Sequence, residues 1–153
     1  MDRRKFLTMS MITAMALPVG AWATDYRVEK PAAWTAKTVD MAIKALYGDV
    51  KLIKSKDIIL NMPNVTSSGS QVPVTITTNI DAKTVALFQN SNPESAVAVW
   101  TVPENGIIDY KLKLKIKTLA DKSPSVVTVV VQGNDGIFYT THASVQVAGG
   151  CEG

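Results

Sequence analysis

The sequence has 153 residues, of which 46% are hydrophobic and 19% are charged, and its formal net charge is +3. That length and apolar content are enough for one domain with a hydrophobic core. The charge balance is too even to indicate a nucleic-acid-binding surface, so that class of function is excluded.

The first 23 residues are typical of a bacterial export signal. A basic start at residues 3–5 is followed by an apolar run, and the segment ends in a small-x-small pattern at Ala21–Ala23. The run is too short to span a membrane. The paired arginines followed by Phe-Leu favour the twin-arginine route, although Asp2 stands where Ser or Thr is usual. We therefore expect residues 1–23 to be a cleaved twin-arginine signal peptide and the mature protein to be periplasmic. Cleavage would leave 13 of the 16 basic and 12 of the 13 acidic residues.

One helix is predicted after the signal. Residues 24–33 indicate an extended lead-in, and the stretch "WTAKTVDMAIKALYGD" then places four apolar residues on a single helical stripe. Thr35 is the predicted N-cap and Gly48 the predicted stop. This stripe is expected to pack on the domain core.

From Lys56 onward the apolar pattern has a period of two, which predicts about seven strands. The two best-marked strands, "SVVTVVVQG" and "GIFYTTHASVQV", are joined by Asn134-Asp135-Gly136, a strong hairpin signal. The continuous run Val126–Val131 favours a strand covered on both faces. Residues 24–147 are therefore predicted to form an all-β, immunoglobulin-like antiparallel β-sandwich with one N-terminal helix. The other predicted strands lie in "KDIILNMP", "QVPVTITTNI", "KTVALFQN", "AVAVWTV" and "DYKLKLKIKT".

The strand "KLKLKIK" carries lysines at 111, 113, 115 and 117 on one face and apolar residues on the other. Two interpretations are open for this face. It is either a cationic patch for an anionic partner or a solvated outer face whose lysines discourage edge-to-edge association, and the second is favoured.

Metal and enzyme sites are poorly supported. The chain has one histidine, His142, and one cysteine, Cys151. A blue-copper centre needs two histidines and a cysteine, and a structural zinc site needs four soft ligands. Neither a phosphate-binding glycine loop nor a nucleophile elbow is present. We expect no metal, no cofactor and no catalytic residue, and we expect His142 to be an ordinary strand side chain.

The single cysteine stands in the tail "VQVAGGCEG". The periplasm is oxidising, so an unpaired cysteine there indicates a working thiol or intermolecular pairing. Neighbouring glycines permit almost any backbone direction, which is unsuitable for a fixed nucleophile but suitable for a slim tether. The tether from Val147 to the thiol would reach at most about 17 Å. Residues 148–153 are thus predicted to be a flexible arm that presents Cys151 to other proteins.

These residues together resemble the SoxY family, the sulfur carriers of the periplasmic thiosulfate-oxidising (Sox) system. The resemblance rests on the twin-arginine signal, the β-sandwich and the Gly-Gly-Cys-x-Gly tail. Three internal segments support it in the family's order. They are "IILNMPNVTSSGSQVPVTI" with Pro63, Gly69, Val72 and Pro73, then "NSNPE", then "DGIFYTTHASVQVAGGCEG".

The resemblance implies a role for each arm residue and a set of partners. Cys151 would carry covalent sulfur adducts, and Gly149, Gly150 and Gly153 would form its arm. A SoxZ-like subunit would complete a heterodimer, and a SoxAX-like haem protein would couple thiosulfate to the cysteine. A SoxB-like manganese hydrolase would release sulfate, and a molybdenum–haem sulfur dehydrogenase could finish the oxidation. One departure is Glu152, which stands where the family usually has glycine.

Two function classes remain open beside the carrier. One is a periplasmic immunoglobulin-like binding or adhesion module whose cysteine forms an intermolecular disulfide. The other, less favoured, is a cysteine-dependent enzyme in which His142 serves Cys151 as a base.

Overall fold

The computed structural model describes residues 24–151, and it describes side chains as far as residue 148. Residues 1–23 and 152–153 lie outside the described residues. The predicted signal peptide therefore lies outside them, as do Glu152, Gly153 and the Cys151 side chain.

Three short helices precede the strands, where the sequence predicted an extended lead-in and one helix. Their bounds are α1 (Tyr26–Glu29), α2 (Pro31–Thr35) and α3 (Val39–Tyr47). The predicted N-cap was wrong, because Thr35 ends α2 and the Thr38 side chain accepts the Met41 N–H at 3.2 Å. Gly48 ends α3 as predicted, with a positive φ of 83° that favours glycine.

The described residues contain nine strands, two more than the sequence predicted. The two extra strands, β1 and β3, are short, and β3 has the polar sequence VTSS. Neither has enough alternating apolar residues to be recognised by period. The strands are β1 (Leu52–Lys54), β2 (Ile58–Asn61), β3 (Val65–Ser68), β4 (Val72–Thr78), β5 (Ala82–Gln89), β6 (Ala96–Thr101), β7 (Ile108–Leu114), β8 (Ser125–Gly133) and β9 (Phe138–Cys151).

These strands form two sheets, which confirms the predicted immunoglobulin-like sandwich. The larger sheet has the order β1-β9-β8-β5-β6, with β3 also paired to β9, and the smaller sheet has the order β2-β4-β7. Pairing is antiparallel except along one edge, where β1 and β3 both run parallel to β9. The predicted hairpin is confirmed, since the Gly133 N–H donates to the Ile137 carbonyl at 2.9 Å and Gly136 has a φ of 82°.

The larger sheet is covered on both faces. Its inner face packs on the smaller sheet through side chains such as Leu87 and Val129, both fully buried. On its outer face Phe88 and Val130 pack on the helical layer, where Ile43 of the α3 stripe is also buried. This arrangement confirms both the packing predicted for the helix and the two-sided burial predicted for the run in β8.

The lysines of "KLKLKIK" lie on the exposed side of an edge strand. Lys111 and Lys113 of β7 are exposed, whereas Leu114 is buried. The strand ends at Leu114, earlier than predicted, but the alternation continues through the buried Ile116. The geometry agrees with a solvated face, because β7 is the last strand of the smaller sheet.

Candidate functional site

The Cys151 backbone lies in β9, at the edge of the larger sheet. There β3 runs parallel to β9, with Val65 opposite Gln146, Thr66 opposite Val147 and, after a register shift, Ser68 opposite Cys151. The strand thus continues past residue 147, where the sequence placed the boundary of an arm. Flexibility of residues 148–153 stays a prediction, because the side chains from residue 149 onward lie outside the description.

The segment that faces this end of β9 is rich in hydroxyl groups. We call residues 66–70 the hydroxyl segment. The Thr66 hydroxyl donates to the Ser68 carbonyl at 2.9 Å and accepts the Ser68 N–H at 3.3 Å. The hydroxyls of Ser68 and Ser70 are hydrogen-bonded to each other at 2.8 Å. These local bonds stabilise the end of β3 and the bend that follows it, beside the Cys151 backbone.

Gly69 anchors the hydroxyl segment to the chain that follows β7. The Ile116 N–H donates to the Gly69 carbonyl at 2.7 Å, and Gly69 is buried. A Cβ added at Gly69 would overlap the Ile116 carbonyl oxygen and would lie 3.4 Å from the Val147 side chain. Only glycine permits this close approach of two backbones.

The Asn-Pro turn between β5 and β6 contacts the same chain segment that Gly69 contacts, the one that follows β7. Gln89 is 1% exposed, and its Oε1 accepts the backbone N–H groups of Ser91 and Asn92, each at 2.7 Å. Its Nε2 donates to the Glu94 carbonyl at 2.7 Å. The Asn92 side chain donates in turn to the Lys115 carbonyl at 2.7 Å, one residue before Ile116.

Four segments that are distant in sequence therefore meet at the base of the predicted arm. The Asn-Pro turn holds Lys115, Ile116 holds Gly69, and the hydroxyl segment lies against β9. The sequence resemblance named three of these segments and their order, but it named neither residues 115–116 nor the contacts between the segments. No sequence pattern indicated a role for Ser68, and Gly69 was recognisable only as a match to the family.

His142 is an exposed residue in the middle of β9, as predicted for an ordinary strand side chain. It precedes Cys151 by nine residues, which even with the register shift before Cys151 corresponds to more than about 20 Å along the strand. A nucleophile–base pair between these two residues is therefore not supported.

Neither a metal-binding cluster nor a membrane-spanning helix is found within the described residues. In that part of the chain, histidine, cysteine and carboxylate side chains do not gather in groups of three or more that could hold a metal ion. No helix of residues 24–151 has the length and apolar character required to cross a membrane.

Comparison with known proteins identifies a family. The family model "Sulfur oxidation protein SoxY" matches residues 43–151. Among solved structures, the chain is similar to the sulfur carrier protein SoxY from Chlorobium limicola f thiosulfatophilum. That match has a TM-score of 0.63 and 28% identity, and it covers 75% of this chain and 96% of that one.

A second solved structure shares the fold alone. It is a variant of superoxide reductase (neelaredoxin) from Ignicoccus hospitalis, with a TM-score of 0.50 and 9% identity, covering 62% of this chain and 93% of that one. A search of curated proteins gave no match.

Proposed function

Because the chain belongs to the SoxY family of sulfur oxidation proteins, we propose that it carries sulfur intermediates covalently on Cys151. The observation that supports this most is the extent of the family match, which reaches residue 151. Cys151 is the only cysteine in the sequence, so it is the one thiol on which a sulfur carrier of this sequence can form an adduct.

The residues around the thiol suit a covalent carrier. A tethered intermediate stays close to each enzyme that engages the carrier, which raises its effective concentration. Gly149 and Gly150 before the cysteine and Gly153 after it lack side chains that would clash in a narrow cleft. We propose that these residues form the carrier arm and that the hydroxyl segment is where its base meets the domain.

The family implies partners from the Sox system, and the specific set is part of the proposal. A SoxZ-like subunit would form a heterodimer with this chain. A SoxAX-like haem protein would couple thiosulfate to the Cys151 thiol by oxidation, and a SoxB-like manganese hydrolase would release the terminal group as sulfate. A molybdenum–haem sulfur dehydrogenase would oxidise the remaining sulfur. The chain itself would be acted upon and would catalyse no step.

The proposed location is the periplasm. The basic and apolar pattern of residues 1–23, with its paired arginines, supports export by the twin-arginine route. That route accepts folded proteins, so a partner subunit could cross the membrane together with this chain.

The proposal is tested by the intact mass of the protein isolated from cells that are oxidising thiosulfate. The wild-type chain should show sulfur-containing adducts that a thiol reductant removes, and a Cys151→Ser variant should show none. The variant should keep its fold and its partner subunit while thiosulfate oxidation stops. If only free thiol and disulfide-linked dimer were found in active cells, the adhesion module would be the better assignment.

A further inference from the structure

The outer edge of β9 has a gap between its two parallel neighbours. Strand β1 pairs with residues 138–140, and β3 begins to pair only at Gln146. The Thr140 carbonyl accepts the Ser55 N–H at 3.1 Å, and the Gln146 N–H donates to the Asn64 carbonyl at 2.8 Å, both on this edge. Backbone groups of alternate strand residues point to the same side, so those of His142 also face the gap.

A cavity of about 500 Å³ opens beside this gap, where β1 ends and β2 begins. Its lining combines cationic and hydroxyl groups with one apolar residue, and none of the lining residues is acidic. The Ser55 Oγ accepts the Asp57 N–H at 3.1 Å, which leaves the Ser55 hydroxyl proton available to donate. The lining residues are Lys54, Ser55, Lys56, Ile58, Thr141 and His142.

Every polar residue in this lining can donate a hydrogen bond. Two lysine ammonium groups supply positive charge, and the Ser55 and Thr141 hydroxyls and the His142 imidazole can each donate a hydrogen bond. Such donors suit a ligand that has only acceptors and carries negative charge, because charge-assisted hydrogen bonds are the strong ones. Both lysines are exposed, so their charge attracts an anion more strongly than a neutral or cationic ligand.

We propose that this cavity binds a small tetrahedral inorganic oxyanion, of the class that includes sulfate, thiosulfate and phosphate. The alternative is an acidic peptide segment that adds to the free edge of β9. Residues 55–64 lead from the Thr140 end of the gap to its Gln146 end, and β2 within them contacts β9. An added strand would therefore meet chain that already lies beside this edge. The site lies more than about 20 Å along β9 from Cys151, and it is independent of the proposed covalent chemistry.

The test uses the full chain carrying Cys151→Ser, so that thiosulfate cannot react with the thiol and the result does not depend on the carrier function. Sodium sulfate, thiosulfate and phosphate are titrated separately at constant ionic strength while backbone amide and His142 imidazole resonances are recorded by NMR. We expect saturable chemical-shift changes centred on Ser55 and His142. The dissociation constants measured for the three salts then identify the preferred oxyanion.

Variants then locate the site. Lys54→Met with Lys56→Met should weaken binding by about tenfold or more, and Lys56→Met alone should weaken it less. The matched control, Lys111→Met with Lys113→Met, removes two exposed lysines from β7 and should leave the affinity unchanged. Shifts that do not saturate, or an equal loss in the control, would overturn the proposal. Saturable shifts with an acidic peptide but with none of the three salts would assign the edge to a peptide instead.

Discussion

The Cys151 backbone lies opposite Ser68 in the parallel pairing of β3 with β9. The cysteine of the proposed carrier arm and the hydroxyl segment therefore share one edge of the larger sheet. Gly69 fixes the position of the hydroxyl segment, because its carbonyl accepts a hydrogen bond from the Ile116 N–H.

The first prediction concerns Gly69. In Gly69→Ala the new methyl group would overlap the Ile116 carbonyl oxygen, so one of the two backbones must move. We expect the free energy of unfolding to fall by about 1–3 kcal/mol, as is typical when a packed site is overfilled. Urea unfolding of the purified variant measures this loss.

The control for Gly69 is its neighbour in the same segment. Ser67 is exposed, and Ser67→Ala should change the unfolding free energy by no more than about 0.5 kcal/mol. Equal urea midpoints for Gly69→Ala, Ser67→Ala and the wild type would show that the close approach to Ile116 carries no constraint.

The second prediction concerns the Asn-Pro turn. Gln89→Leu removes four hydrogen bonds and leaves the Ser91 and Asn92 donors without their acceptor. We expect a loss of about 2–3 kcal/mol, since donors left unpaired in a buried site are costly. Thermal and urea unfolding should both report the loss.

An exposed glutamine provides the matched control for that turn. Gln71 accepts one hydrogen bond from Lys113 at 3.3 Å and is exposed, so Gln71→Leu should cost less than about 0.5 kcal/mol. A similar small cost at Gln89 would mean that the turn holds its shape without the side-chain network.

Much of the sandwich could be predicted from the sequence because local patterns determine it. Strands such as β8 have long runs of β-branched residues, and the turn from Asn134 to Gly136 has the residues that its geometry requires. The pattern could not reveal β1 or β3, because pairing with β9 rather than local sequence makes these short segments strands. The helix start was misplaced for a related reason. Thr35 and Thr38 are equally good caps by composition, but Thr35 is the last residue of α2 and only Thr38 is left to cap α3.

The candidate site was also predictable only in part from the sequence. Cys151 could be singled out from the sequence alone, because a lone cysteine among glycines predicts a working thiol whatever the fold. The support beneath it was not visible, because the contacts from Asn92 to Lys115 and from Ile116 to Gly69 join residues far apart in the chain. A sequence pattern shows which residues are present but does not show which of them meet.

The third prediction concerns stability at alkaline pH. Burial raises the pKa of the Tyr47 phenol well above its ordinary value near 10. The hydroxyls of Tyr47 and Thr84 are hydrogen-bonded at 2.7 Å, and Thr84 donates to Gln132 at 3.0 Å. At pH values above 10 the unfolded chain loses the Tyr47 proton while the folded chain retains it. The contribution of the Tyr47 phenol to the free energy of unfolding is therefore fully present below pH 10, and it is lost as the pH rises further.

Tyr47→Phe should reveal this contribution. The variant should be about 1 kcal/mol less stable than the wild type at pH 8, because it lacks the bond to Thr84. The difference should shrink from pH 10 upward, since the phenylalanine has no proton to lose. Urea unfolding at pH values between 8 and 11 measures the two curves, and a difference that stays constant over that range would contradict the assignment.

The fourth prediction concerns Glu152, which lies outside the described residues and stands next to Cys151 in sequence. A carboxylate so close should repel reagents and adducts of the same sign. Glu152→Gln should therefore raise the rate at which Cys151 reacts with an anionic aromatic disulfide by about twofold to threefold at low salt, since like charges a few ångströms apart in water interact by about 1 kcal/mol or less. The rate with neutral iodoacetamide should change less. Screening should remove most of the difference at 0.5 M sodium chloride, where the Debye length is only about 4 Å.

Glu104→Gln removes an exposed carboxylate elsewhere and should leave both rates unchanged. If Glu152→Gln accelerated both reagents equally at every salt concentration, the carboxylate would act by changing the thiol itself rather than by repelling anions, and the expected penalty on anionic sulfur adducts would have to be abandoned.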